Sequence, residues 1–215
     1  MAKVSVSILG CDQTRIGEQV LEAERNGADL IHFDVMDGVY VENLCFGPQL
    51  AIDLKKISKL PISAHLELLR PETFLPMFAR AGVDILTFQL DACPNPIHLL
   101  KEIKKAGMKA GIGIGPAYSV EGLRYILHHV DWLILMSVEP GYGGQTFEES
   151  VYEKIHQAKA LMDELGHHVP ISIDGGVNDV TGKKLIEAGA DILIAGSYIF
   201  KDNKVAERVQ TLKAL

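Results

Sequence analysis

Short apolar runs rich in β-branched residues recur from one end of the chain to the other, and between them the apolar positions switch to a helical period. The runs fall at residues 4–9, 29–34, 62–66, 85–89, 110–114, 132–137, 171–174 and 192–195, and the helical stretches at 17–25, 71–81, 96–106, 120–129, 148–165 and 178–188. Three helices run out through the same grammar, Asn26-Gly27-Ala28-Asp29, Ala81-Gly82-Val83-Asp84 and Ala188-Gly189-Ala190-Asp191, with a strand directly after. Gly stands in each where a helix needs a left-handed terminating residue. Ala106-Gly107-Met108-Lys109 is a looser copy. A strand followed by a helix, repeated eight times, predicts an α/β fold of parallel strands, and eight units predict a closed (β/α)₈ TIM barrel rather than an open doubly wound sheet. With 215 residues the chain is shorter than the ~250 typical of that barrel, so its loops must be lean. No linker interrupts the repeat, and one barrel domain over 1–215 is expected.

Charge narrows the ligand class. A formal net charge of -7 and a pI near 5.6 supply no basic field for a polyanion, which argues against nucleic acid. A small anion held by backbone N–H groups at helix ends stays compatible, because net charge does not count those donors. Cys11, Cys45 and Cys93 are odd in number and far apart, as befits a reducing compartment. Met-Ala-Lys leads straight into a strand, and no apolar run is long enough to span a bilayer, so a cytoplasmic protein with no membrane partner is expected.

In such folds the ligand sits at the C-terminal ends of the strands, where this chain has Ser7, His32 with Asp34, His65, Gln89, Met136, Asp174 and Gly196-Ser197. His32 and Asp34 are two apart on one strand and so share a face. Buried there, they require partners, which His65 and Asp174 supply. Two imidazoles and two carboxylates from three strands match a four-ligand site for zinc or another divalent first-row ion. Core polar residues are the plainer alternative for any one of them; all four at strand ends favour the metal. The loop Val138-Glu139-Pro140-Gly141-Tyr142-Gly143-Gly144-Gln145 and the turns at Gly175-Gly176 and Gly196-Ser197 follow strands six, seven and eight, where phosphate commonly sits in this barrel class. Met36 and Met136 lie close to the proposed metal, as soft lining for a reacting carbon or as core filling.

Ser7-Ile8-Leu9, His32-Phe33-Asp34-Val35-Met36-Asp37-Gly38, the loop Met136-Ser137-Val138-Glu139-Pro140-Gly141-Tyr142-Gly143-Gly144-Gln145, Asp174-Gly175-Gly176-Val177 and Ala195-Gly196-Ser197 together resemble the ribulose-phosphate 3-epimerase family, almost end to end. The resemblance implies a metal-dependent isomerase of the pentose phosphate pathway that inverts C3 of D-ribulose 5-phosphate to give D-xylulose 5-phosphate. It implies one divalent ion per chain, most often Zn²⁺, with Fe²⁺, Mn²⁺ or Co²⁺ as alternatives, held by His32, Asp34, His65 and Asp174. Asp34 and Asp174 would double as acid and base, because inverting a carbon beside a ketone removes a proton from one face and returns one to the other through an enediolate. His65 and Asp174 would also face the substrate. Ser7 would contact a substrate oxygen, Met36 and Met136 would pack round the reacting carbon, and Gly141, Tyr142, Gly143, Gly144, Gly175, Gly176, Gly196 and Ser197 would hold the phosphate. A homo-oligomer, dimer or hexamer, is also implied.

The departures from the family pattern cluster near the site. Glu67 replaces the usual Met after His65-Leu66, Gln89 and Asp91 replace His and Glu, Gly10 replaces Ser, and Gly115 replaces Asn. With His65 turned to the metal, strand alternation turns Glu67 the same way, and Arg70 is the nearest basic residue in sequence to neutralise it. Two other functions compete: 3-epimerisation of another ketose phosphate such as allulose 6-phosphate, and sugar-phosphate binding without catalysis. Carboxylates for both faces of the ligand argue against the second.

Overall fold

Among the described residues, which are 2–215 of this computed structural model, eight parallel strands close on themselves. They are β1 (Lys3–Ser7), β2 (Leu30–Asp37), β4 (Ile62–Glu67), β5 (Ile85–Gln89), β6 (Lys109–Ile114), β7 (Trp132–Met136), β8 (Ile171–Asp174) and β9 (Ile192–Ala195). A two-residue strand, β3 (Leu44–Cys45), pairs antiparallel with the end of β2. Each barrel strand lies beside its sequence neighbour, and β9 pairs back to β1 with Val4 opposite Leu193. The fold is a TIM barrel.

Alternation along the strands splits the apolar residues between two cores. Val4, Val6, Ile31, Phe33, Ala64, Leu66, Phe88 and Leu135 face outward against the helices, whereas Leu30, Ile85, Trp132, Ile134, Ile192 and Ile194 fill the barrel's interior. The outer layer contains α1 (Ile16–Arg25), α2 (Pro48–Ile57), α3 (Leu75–Ala81), α4 (Pro96–Lys105), α5 (Ser150–Leu165), α6 (Asp179–Ala188), α7 (Ser197–Phe200) and α8 (Val205–Lys213). α4 shows the local logic: Pro96 opens it, Leu99, Leu100 and Ile103 form its buried stripe, and Lys104 and Lys105 end it. α6 starts on a capping box between Asn178 and Thr181. Within the described residues no helix is long and apolar enough to cross a membrane.

Four expectations need correction. No α-helix forms at 120–129; two 3₁₀ turns, Val120–Leu123 and Leu127–His129, stand there. Buried Val120, Leu123 and Ile126 recur every third residue, which suits a three-residue turn, and Gly122 weakens an α-helix at its centre. The stretch 71–81 divides into a 3₁₀ turn at Pro71–Thr73 and α3, with Pro76 in the first turn of α3. β2 extends three residues past Asp34 because β3 pairs with Met36 and Asp37. α2 and α8 complete the outer layer beyond the six stretches read from periodicity.

At the base of the barrel one device appears four times. Asp29, Asp84, Asp131 and Asp191, each just before a strand, donate their own N–H to the carbonyl of a residue on the preceding barrel strand, Val4, Ile62, Ala110 and Ile171 respectively. The carboxylate of each accepts the N–H of that same residue, at 2.7, 2.7, 3.0 and 2.8 Å. Lys213, Lys55 and Lys104 pair with the first three carboxylates. Alternate strand pairs are thereby clasped around the whole ring.

Candidate active site

The mouth of the barrel is built from strand ends in register. Ser7 lies opposite His32, Asp34 opposite His65, and Met136 opposite Asp174. His32 Nε2 stands 2.9 Å from Asp34 Oδ1 and 3.2 Å from Asp174 Oδ2. His65 Nδ1 is 3.5 Å from the same Asp34 oxygen and 3.7 Å from the same Asp174 oxygen. One ligand atom from each of the four residues lies within 4.8 Å of all the others. Ser7 Oγ donates to the second Asp34 oxygen at 3.0 Å, and Cys45 Sγ donates to the Asp34 carbonyl, so the residue that strand β3 brings in helps to fix Asp34.

Burial and charge oppose one another here. Burial disfavours a charged imidazole, but the carboxylates of Asp34 and Asp174 prevail, pushing His32 up to about 10 and, with a contribution from Glu67, His65 up to about 9. Both aspartates are held below the usual carboxylate range by the imidazoles, against the effect of burial. Among the described residues His65 Nδ1 has no hydrogen-bond partner, although it is fully buried and aimed at both carboxylates. His32 Nε2 is within hydrogen-bond distance of both carboxylates whereas His65 Nδ1 is not, and two nitrogens and two carboxylate oxygens converging in this way fit a divalent first-row cation.

Above this cluster opens a cavity of about 350 Å³. Asp34, Met36, Met136 and Asp174 line it, as do Ser7, Gly141, Tyr142, Gly143, Gly144, Gly175, Gly176, Gly196 and Ser197. His32 and His65 are wholly buried beneath. The four candidate ligands and the residues read as facing the substrate are therefore brought together at one mouth of the barrel, whereas Asp91 and Gly115, two of the departures expected near the site, do not line this cavity. Gly175, at φ 107°, is a left-handed position where a Cβ would come within 2.6 Å of Val138. Gly10 presses on the turn after β9 so closely that a Cβ would stand 2.4 Å from the Gly196 carbonyl carbon, so a Ser could stand there only if that turn shifted.

Glu67 does face inward: it lines the cavity, is 2% exposed, and lies 3.8 Å from His65 Nδ1. Burial, reinforced by Asp34 and Asp174 against the pull of His65, pushes its carboxyl up to about 8. Arg70 is not its partner; that side chain is 80% exposed and pairs with Glu72. Sequence reasoning missed Asn43, which lines the cavity and donates from Nδ2 to the Gly141 carbonyl, tying the β2–β3 loop to the glycine loop. No local pattern marks it, because the contact joins residues 98 apart. Gln89 lies under the site, with Nε2 3.1 Å from His65 Nε2.

The model of the ribulose-phosphate 3 epimerase family matches residues 3–200. The chain belongs to the ribulose-phosphate 3-epimerase family. It is 40% identical over 201 residues to the ribulose-phosphate 3-epimerase of Bacillus subtilis, covering 93% of each chain. The Aquifex aeolicus ribulose-phosphate 3-epimerase is 34% identical over 215 residues, covering 100% of this chain and 97% of the other. A tryptophan synthase α-subunit variant from Pyrococcus furiosus shares the barrel at a TM-score of 0.75 and 15% identity, covering 100% of this chain and 98% of that one, a likeness of fold alone. As a member of the epimerase family the protein is an isomerase, and the buried His32, Asp34, His65 and Asp174 form its candidate metal site.

Proposed function

We propose that the protein inverts C3 of D-ribulose 5-phosphate to give D-xylulose 5-phosphate, with Asp34 and Asp174 as the two proton carriers and His32, Asp34, His65 and Asp174 as the ligands of one divalent ion, Zn²⁺ first among the candidates. The observation that carries this reading is the convergence of two buried carboxylates and two imidazoles at the floor of a cavity rimmed by glycine turns. Asp34 comes from β2 and Asp174 from β8, so they reach a carbon between them from different walls. One removes the C3 proton from its face as C2–C3 enolises, and the other delivers a proton to the opposite face. When bound, the ion would supply positive charge to stabilise the negative charge that develops on the enediolate.

Ser7, donating to Asp34, is within reach of a substrate oxygen as well. Met36 and Met136 give the reacting carbon an apolar, non-titrating wall that excludes water from the enediolate. The phosphate belongs in the turns at Gly143-Gly144, Gly175-Gly176 and Gly196-Ser197, whose backbone N–H groups approach an anion without side chains in the way.

The test is solvent exchange. In deuterium oxide the protein should convert ribulose 5-phosphate to xylulose 5-phosphate with deuterium entering at C3 and at no other carbon. Xylulose 5-phosphate formed without label at C3, or no turnover with any divalent ion added, would overturn the reading.

A further inference from the structure

We infer that Glu67 is a specificity-determining residue that binds the terminal C1 hydroxyl of the ketose phosphate. The inference rests on the substrate placement proposed above and extends it to the end of the sugar far from the phosphate.

The argument starts from strand order. Around the ring the barrel strands run β1, β2, β4, β5, β6, β7, β8, β9. The glycine turns follow β7, β8 and β9, and are centred on β8. Four strands on from β8 in either direction is β4, whose last residue is Glu67. A phosphate held at β8 and a reacting carbon between Asp34 and Asp174 direct the remaining carbons of a ketose, C2 and C1, across the mouth toward β4. Glu67 lines the cavity wall at that point.

Its surroundings leave the carboxyl available. Among the described residues Glu67 Oε2 is buried without a hydrogen-bond partner, and the one ion-pair contact of the carboxyl, His65 Nδ1 to Oε1 at 3.8 Å, is too long for a hydrogen bond. Glu67 is also outside the group of four whose ligand atoms lie within 4.8 Å of one another, which leaves it free to meet the substrate rather than the ion. Met36, which lies opposite Glu67 on the neighbouring strand, has no group that could bind a hydroxyl strongly. A buried, unpartnered carboxyl in a ligand cavity gains a bond when a hydroxyl arrives and stays desolvated when a methyl arrives instead. It therefore selects for a C1 hydroxymethyl group over a C1 methyl.

The experiment compares kcat/KM for 3-epimerisation of xylulose 5-phosphate and of 1-deoxyxylulose 5-phosphate, which differs only in having a methyl at C1. Wild type should prefer the hydroxylated substrate by about tenfold or more. E67Q, whose carboxamide still bonds a hydroxyl, should keep a preference within about threefold of wild type. E67M and E67L, checked for fold and metal content, should lose at least about threefold of it. The substrate comparison in wild type needs no variant to fold: equal use of both ketoses within about threefold overturns the inference, as does a ratio unchanged in E67M or E67L. Those results leave the epimerase reading standing. Wild type inactive on both substrates would overturn that reading and this one together.

Discussion

Aspartates at the two ends of the barrel do opposite things. At the base, Asp29, Asp84, Asp131 and Asp191 each accept a strand N–H, and lysines partner three of them. At the mouth, Asp34 and Asp174 crowd together with Glu67 around two imidazoles, and atoms such as His65 Nδ1 and Glu67 Oε2 are left without a hydrogen bond among the described residues. A carboxylate whose bonds are complete within the fold has nothing left to offer a ligand; it stabilises. A carboxylate held by its strand in unfinished company has bonding capacity to spend on a metal or a substrate. The barrel thus separates stability from chemistry along its axis, using one residue type for both.

The largest effect should come from the mouth. Asp34→Asn and Asp174→Asn are each expected to lower epimerase kcat by about 10²- to 10⁴-fold, with circular dichroism and the melting transition showing an intact barrel. A variant retaining more than about a tenth of the wild-type rate would break the comparison, since its carboxylate would then be no essential proton carrier.

Next comes the response to pH of chelator-treated protein. His32 at about 10 and His65 at about 9 both lie above the ~6.5 of an unfolded histidine. Above pH ~6.5 the folded chain therefore holds more protons than the unfolded one, so stability falls as pH rises. The contribution is complete below that pH and is lost through pH 9 to 10. The melting temperature of the metal-free chain should decline over that interval and that of the metal-loaded chain less. A metal-free transition flat from pH 7 to 10 would mean that the imidazoles are not held by the carboxylates.

Much of this division is legible in the sequence, unevenly. Asp29, Asp84 and Asp191 announce themselves through the Gly-x-Asp ending of a helix, because the left-handed turn and the clasp are both local. Asp131 performs the same role unannounced: the element before it is the 3₁₀ turn Leu127–His129, followed by Val130 in extended backbone, which needs no glycine. His32 and Asp34 were readable from strand alternation, and His65 and Asp174 from their place at strand ends. Asn43 and the pairing of β3 depend on contacts between loops distant in sequence, which no period records. The inward turn of Glu67 follows from alternation, but its lack of a basic partner does not, since Arg70 lies beyond the strand, where the period of two has ended.

A smaller effect would sharpen the comparison from beneath the site. For His65 Nδ1 to offer a lone pair to a cation, Nε2 must carry the proton and find an acceptor. Turning over the Gln89 amide, whose two ends are nearly the same size, puts Oε1, unpartnered among the described residues, against His65 Nε2. The space is tailored to this pair, for a Cβ at Gly113 would come within 3.0 Å of His65 Nε2 and 3.1 Å of Gln89. Gln89→Leu is expected to weaken binding of Zn²⁺ by about tenfold in competition with a chelator. Unchanged affinity would show that His65 is oriented by its strand alone.

The smallest effect belongs to the base, where activity should not change at all. Asp84 accepts the Ile62 N–H at 2.7 Å and pairs with Lys55, joining β5 to β4 at the end remote from His65. Asp84→Asn keeps the size of the side chain and an acceptor oxygen but removes the charge that strengthens both contacts. The side chain is 41% exposed, so water replaces part of what is lost, and the cost should be about 1 kcal/mol rather than the ~1.5–3 of a charged hydrogen bond fully sheltered from solvent. For a chain of this length that is a fall of roughly 2–4 °C in Tm. Because four clasps share the ring, adding Asp191→Asn, on the opposite wall, should add a similar fall, the two sites having no partner in common. kcat and metal content should match wild type in both variants. A loss of kcat beyond about threefold in Asp84→Asn, with the barrel still folded, would mean that base and mouth are mechanically coupled and that the axial separation of roles does not hold.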